Sequence, residues 1–483
     1  MNESKIIKEF KQELGLFDST MIVVGSMIGS GIFIVSADIA RTVGSSGFLI
    51  LVWVITGIMT LIGALSYGEL AAMFPKAGGQ YIYLREAYNP LVAFLYGWTL
   101  FAVIQTGTIA AVGVAFAKFT SVVVPFFSES NYILTISQFK ISTSQMLAIF
   151  SVLILTAVNV LGIREGKFVQ NIFTVSKTIV LIGLILLGIF VGSNTEAISA
   201  NFSNMWDGKW LKNSNGFIIE SLSGLLLIAA IGSAMVGSLF SSDAWNNITF
   251  TAGEVKNPKR NLPLSLFLGT AIVTILYVLA NVSYLMVLPL NGSPEGKNIF
   301  DLGIQFAAED RVGTAAAQSI FGESAAVIMA VLIMISTFGC NNGLILAGAR
   351  VYYAMAKDKL FFKKAGELNK HSVPAAALVF QGIWASILCL SGTYGQLLDY
   401  VIFAVLIFYV LTISGIFILR KKKPNQDRPY KAFGYPVLPL VYIILAVTIS
   451  VILLIYKPSY TWPGLVIVLC GIPIFYVWKK VSR

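Results

Sequence analysis

Twelve sustained apolar runs constrain this chain more than any single motif. They fall at about 16–40, 46–73, 91–118, 143–163, 169–192, 219–252, 265–289, 323–352, 375–391, 397–420, 436–456 and 462–479. A hydrocarbon layer of about 30 Å takes about 20 helical residues to cross. Lipid offers no partner for a backbone N–H or C=O, so runs of this length must be helical. With 57% hydrophobic and only 12% charged residues and a mean hydropathy of +0.80, an ordinary soluble domain is excluded. The expected class is an all-α polytopic membrane protein with 12 transmembrane helices. Residues 1–15 form an N-terminal segment of mixed charge without a cleavable signal pattern, so the first run is a mature span.

The net charge of +11 does not point to nucleic acid, because the basic residues concentrate in alternate loops. With the N-terminus inside, 25 of the 34 lysines and arginines lie on the inner side and eight on the outer, and Lys177 is in neither. The positive-inside rule then places both termini in the cytoplasm. Cys340, Cys389 and Cys470 all fall in apolar runs, and His371 is the one histidine. Neither a disulfide framework, a metal cluster nor a histidine proton relay is expected. Two outer loops, about 193–218 and 290–322, are long enough for short helices but not for domains.

The first run contains a stretch that makes poor helix. Gly25-Ser26-Met27-Ile28-Gly29-Ser30-Gly31-Ile32-Phe33 packs three glycines and two serines into seven residues, and each glycine costs about 1 kcal/mol against alanine in a helix interior. A break here frees backbone groups that must be buried in protein or must line a polar cavity. A close packing face of small residues, with Gly25 and Gly29 four apart, is the other use of such a run. Five runs later Gly237-Ser238-Leu239-Phe240-Ser241-Ser242-Asp243 interrupts the sixth in the same manner. An odd offset means that the second copy enters from the opposite side. Runs 1–5 (16–192) and 6–10 (219–420) then form a 5+5 inverted repeat with helices 1 and 6 unwound, and 436–479 adds two helices.

At such a break one half-helix opens with free N–H groups and the other ends in free carbonyls. A zwitterion matches that pair of ends. Its carboxylate would take N–H groups near Ser30 and Gly31. Its ammonium would take carbonyls near Met27 and from Phe240 to Asp243.

Together with Tyr67-Gly68-Glu69-Leu70 and Phe74-Pro75-Lys76-Ala77-Gly78-Gly79-Gln80-Tyr81, the Gly25–Phe33 stretch resembles the amino acid–polyamine–organocation superfamily. Phe240 to Trp245, the run Gly253 to Pro263, Gly348 to Ala356 and Arg428-Pro429-Tyr430-Lys431 look like its L-type amino-acid transporter family. Within that family the chain resembles bacterial members of the serine/threonine-exchanger kind. This resemblance covers nearly all the spans. It implies a LeuT-like fold, a bacterial plasma membrane location, and sodium-independent exchange of neutral amino acids without a cofactor. By motif position, Met27, Gly29, Ser30 and Gly31 would hold the substrate backbone. Phe240 would be an aromatic gate, with Asp243 and Trp245 beside the pocket. Ser241 and Ser242 stand where Ala-Tyr is common, which leaves substrate size open.

Lys177 lies about eight residues into the fifth run, where a charge costs roughly 2.5–3.5 kcal/mol on insertion scales. It could snorkel to the inner interface. The resemblance gives another role, an ammonium standing where sodium-coupled relatives keep an ion and donating to Gly25 and Ser336. Asp243 could cap the second half-helix, meet the substrate ammonium or receive a cationic side chain. Cationic amino-acid or polyamine transport, and proton-coupled uptake, therefore stay beside neutral exchange. Glu69 is expected to pair with Lys76 or Arg85, Asp399 to stay hydrated, and Asp18 to cap or pair. No P-loop and no catalytic constellation is present, so neither an enzyme nor direct ATP drive is expected. The outer loop at about 119–142 holds no cysteine, so the disulfide-linked heavy chain of animal L-type transporters is not expected.

Overall fold

The computed structural model describes residues 12–136, 139–162, 166–213, 217–371 and 373–481. The first eleven residues, Arg164 and Arg483, which entered the charge count, lie outside them. The first apolar run gives two helices, α1 (Leu16–Met27) and α2 (Ser36–Val43). Next come α3 (Ser46–Met73), the short α4 (Gln80–Ala87) and α5 (Pro90–Val123), which carries a π-helical turn at Leu100–Ile104. Helices α6 (Thr143–Leu161), α7 (Gly166–Phe190) and the short α8 (Thr195–Phe202) lead to α9 (Gly224–Ser241). The rest of the chain forms α10 (Pro258–Val287), α11 (Val312–Phe321), α12 (Glu323–Lys357), α13 (Ala375–Leu388), α14 (Tyr394–Lys422), α15 (Val437–Tyr456) and α16 (Pro458–Val481).

Among the described residues ten helices are long and apolar enough to cross a membrane, which makes the chain a polytopic membrane protein. Helices α1 and α13 are apolar but shorter. Local chemistry sets many of the ends. Asn89 accepts from the Val92 amide at 3.0 Å, with Pro90 in the first turn. The Ser142 amide donates to Gln145 and the Thr393 amide to Gln396, both at 2.9 Å, as in capping boxes. Gly44 and Gly162 close α2 and α6 in the left-handed region.

The loops expected on the outer side hold more than short helices. Strands β1 (Tyr132–Ile136) and β2 (Phe139–Ser142) form one antiparallel hairpin, and β3 (Lys209–Asn213) and β4 (Phe217–Ser221) form another. The sixth apolar run, expected as helix from 219, therefore begins as a strand, and its helix starts only at Gly224. Helix α10 packs against α1 and α3, and α12 packs against α5 and α1. This places the end of α1 between α10 and α12.

Of the expectations for Glu69, Asp399 and Asp18, two differ and one holds. Glu69, buried at the end of α3, is bound by Arg420 through two contacts (3.0 and 2.6 Å) and by Arg428 at 3.5 Å, not by Lys76 or Arg85. It also accepts from the Ala432 amide at 2.7 Å. A fully buried carboxylate needs a bidentate partner, and the end of α14 supplies one, while Arg85 turns to Asp358. Asp399 is not left hydrated: it is buried and paired with Lys457 at 2.7 Å. Asp18 accepts from the Gly15 amide at 2.9 Å and from Asn171 at 3.0 Å.

Candidate functional site

Helix α1 stops at Met27. Ile28 is extended (φ −73, ψ 93), a single 3₁₀ turn spans Gly31–Phe33, and helix resumes at Ser36. The last turn of any α-helix leaves carbonyls without intrahelical partners. Here three consecutive ones are taken by side chains of three different helices. The Lys177 ammonium of α7 donates to Gly25 O. The Cys340 thiol of α12 lies 3.5 Å from Ser26 O. The Tyr277 hydroxyl of α10 reaches Met27 O at 2.9 Å. Lys177 is 3% exposed, so its charge is turned inward and does not snorkel. Beyond the turn, no backbone carbonyl among the described residues accepts from the amides of Gly29 or Ser30.

The second break follows α9. Ser242 ends the helix, Ala244 takes a left-handed φ of +64, and one turn of helix resumes at Asn247–Phe250. For a residue with a Cβ that conformation is uncommon and marks a locally determined bend. Ser241 O faces the same Tyr277 hydroxyl, at 3.2 Å. Gly31 lies directly against Ser241: a Cβ there would overlap its hydroxyl and stand 2.8 Å from its Cβ. The two interruptions therefore touch, and the absence of a side chain at Gly31 is what lets them. The Ser30 hydroxyl meets Tyr394 at 3.1 Å, and the Tyr394 ring meets Phe240 edge-on at 6.0 Å.

Asp243 is not a helix cap. Its carboxylate accepts from the Tyr409 hydroxyl of α14 at 2.5 Å, and the following helical turn has no side-chain cap. The next helical turn begins only beyond the bend at Ala244, with Asn246 and not Asp243 at its N-cap position. Among the described residues Asp243 forms no ion pair. Two cavities meet it. One is bounded by Tyr96, Gln105, Thr108, Asn246, Phe408 and Tyr409. The other adds Thr60, Ser242, Trp245 and Tyr442. Trp245 packs on Tyr67 and Tyr409, with ring centroids 4.8 and 5.3 Å apart.

Met27, Gly29, Ser30 and Gly31 line neither cavity. They are buried against Tyr277, Cys340, Tyr394 and Ser241. Ser336 also departs from expectation. Its hydroxyl is buried and unpartnered, with no contact from Lys177. The α12 residue that reaches the first break is Cys340, one helical turn further on, which also lies 3.3 Å from where a Gly29 Cβ would be.

A protein-family model described as amino acid permease matches residues 14–476. The chain belongs to the amino acid permease family. It is 30% identical to the human b(0,+)-type amino acid transporter 1 over 475 residues, covering 96% of this permease and 87% of the relative. The serine/threonine exchanger SteT of Bacillus subtilis is 30% identical over 473 residues, with 97% of each chain covered. The human large neutral amino acids transporter small subunit 2 is 30% identical over 468 residues, covering 97% and 80%. The permease is thus a transporter and not an enzyme, within a superfamily of amino-acid carriers that includes exchangers.

Sequence reasoning missed the helix that serves both breaks. Tyr277, Asn281 and Tyr284 stand at i, i+4 and i+7 on α10, one face of a helix. Tyr277 holds Met27 O, Asn281 accepts from the Ser36 hydroxyl at 2.6 Å, and Tyr284 reaches Ile32 O at 3.4 Å. A polar stripe at helical spacing inside a long apolar run was the available signal.

Proposed function

We propose that this permease is a sodium-independent exchanger of neutral L-amino acids working by alternating access. The single observation that carries the proposal is the end of α1. Three consecutive carbonyls are engaged by Lys177, Cys340 and Tyr277, and the amides just beyond them are free of backbone acceptors. A substrate carboxylate suits the amides of Gly29, Ser30 and Gly31, and a substrate ammonium suits carbonyls at the ends of α1 and α9. The Lys177 ammonium supplies a fixed cation, so no sodium ion is needed beside Gly25.

This reading carries a wider architecture. Helices α1 and α2 count as one interrupted span and α13 as a short one, giving twelve spans. The first five and next five form an inverted repeat of LeuT-like type, and α15 and α16 are additions. Phe240 against Tyr394 is the gate over the substrate. The lysine- and arginine-rich end faces the cytoplasm of a bacterial cell with both termini, and no disulfide-linked heavy chain is attached. The names of the similar proteins, a serine/threonine exchanger and a large neutral amino acids transporter, fit this cargo.

A second reading rests on Asp243, a buried carboxylate facing both cavities without an ion-pair partner among the described residues. Under it the cargo carries a cationic side chain.

Counterflow in proteoliposomes loaded with one unlabelled amino acid separates the readings. Exchange of labelled serine, alanine or leucine, unchanged by replacing sodium with choline, is the expected result. Preference for arginine that disappears in Asp243→Asn selects the second reading. Uptake into empty vesicles under a pH gradient alone would overturn exchange in favour of proton coupling.

A further inference from the structure

At the basic end of the molecule several arginines and lysines are paired with the protein's own carboxylates. Arg420 and Arg428 hold Glu69, Lys423 holds Glu86, Arg350 holds Glu254 and Lys259 holds Asp427. One cluster is different. Lys357, Lys359, Lys363 and Lys364 at the end of α12, with Lys479 and Lys480 at the end of α16, are all exposed. None of the six forms an ion pair among the described residues. Of the nearby acids, Asp358 is held by Arg85 and by the Tyr81 hydroxyl (2.8 Å), which leaves the exposed Glu367 as the one countercharge.

The two helix ends are joined through aromatic residues. The Trp478 indole N–H donates to Lys359 O at 3.2 Å, and the rings of Trp478 and Phe362 meet edge-on at 4.9 Å. Lys359 sits at φ +60, a left-handed conformation that fixes the turn carrying it. Phe362 is 49% exposed amid this ring of charge. The apolar flanks of α16 (Tyr476, Val477) and α13 (Val379, Ile383) are also exposed, and they continue the lipid-facing surface up to the lysines.

We infer that this cluster is a binding site for the headgroup of an anionic phospholipid. Lysine ammonium groups are point charges suited to phosphate oxygens. Tryptophan and phenylalanine suit the boundary between headgroup and acyl chain. The continuity with the lipid-facing surface identifies the phosphate as a lipid's and not a free anion's. Each lysine near an anionic surface adds about fivefold to the attraction.

The test uses the full-length protein in detergent with equimolar phosphatidylglycerol and phosphatidylcholine, read by native mass spectrometry. Neither lipid binding nor this readout depends on transport, so its failure is separate from failure of the exchange proposal. Wild type is expected to retain phosphatidylglycerol at least about tenfold over phosphatidylcholine. The quadruple variant Lys363→Ala, Lys364→Ala, Lys479→Ala, Lys480→Ala should bring the ratio near one, while arginine at the same four positions keeps it. An unchanged ratio in the alanine variant overturns the site. So does loss of the preference when inorganic phosphate is added at constant ionic strength, which would mark a free-anion site. Should the alanine variant aggregate, raising salt from about 50 to about 500 mM on wild type must erase the preference, and persistence overturns the inference.

Discussion

At the end of α1 the contacts run from backbone carbonyls outward to Lys177, Cys340 and Tyr277, and the segment's own side chains take a smaller part. At the end of α9 the arrangement is reversed. Ser241 donates back to Gly237 O at 2.8 Å, Ser238 meets Thr56 at 2.6 Å, and Asp243 is fixed by Tyr409. Both cavities open on the second break and neither on the first. Under the proposed exchange, the first break meets the carboxylate and ammonium common to every amino acid, and the second sets side chains against what differs between cargoes. The two breaks join at Gly31, Ser241 and Tyr277.

The largest expected effect comes from forcing the two apart. Gly31→Ala sets a methyl 2.8 Å from Ser241 Cβ and 3.1 Å from its Cα, and overpacking of this kind costs about 3 kcal/mol at the upper end, or roughly hundredfold in exchange. Ser241→Gly in the same chain should recover part of the rate in counterflow; no recovery would separate the two positions. Lys177→Ala comes next. Losing a charge-assisted bond to Gly25 O is worth about 1.5–3 kcal/mol, so exchange of every substrate should fall roughly ten- to hundredfold with selectivity unchanged. A changed ranking of substrates in competition assays would show that the first break also discriminates.

Tyr277→Phe removes the hydroxyl shared by Met27 O and Ser241 O, and a loss of about 1 kcal/mol or fivefold in exchange is expected, again without a change of ranking. Asp243→Asn should leave neutral exchange within about threefold while altering competition by arginine or lysine, because the group faces the cavities and not the peptide site. Initial-rate competition reads this directly. Cys340→Ser is the mildest, within about twofold, since a hydroxyl replaces a weak thiol donor at Ser26 O.

Much of this was legible from sequence because it follows from solvent physics. Lipid forces long apolar runs into helix, and ten of them stand out. Glycine and serine density marked the two places where helix stops. Lys177 and Asp243 stood out because a charge in an apolar run must be answered. The partner of Lys177, Gly25 O, was already implied by the family resemblance; that of Asp243 was not legible, since Tyr409 is an ordinary aromatic residue in an apolar run until the fold brings the two together. Glu69 was assigned to neighbours in sequence, yet its partner Arg420 lies 351 positions away. The hairpins were missed because their short alternating stretches sit beside much stronger helical signals.

The Tyr277 hydroxyl has one proton to give and two carbonyls within reach. It can satisfy Met27 or Ser241 fully, but not both at once. Were alternating access to shift the ends of α1 and α9 relative to α10, the bond would pass from one to the other instead of vanishing. The pivot between the two halves is then a toggle with two seats of similar comfort, and small displacements on either side suffice to throw it.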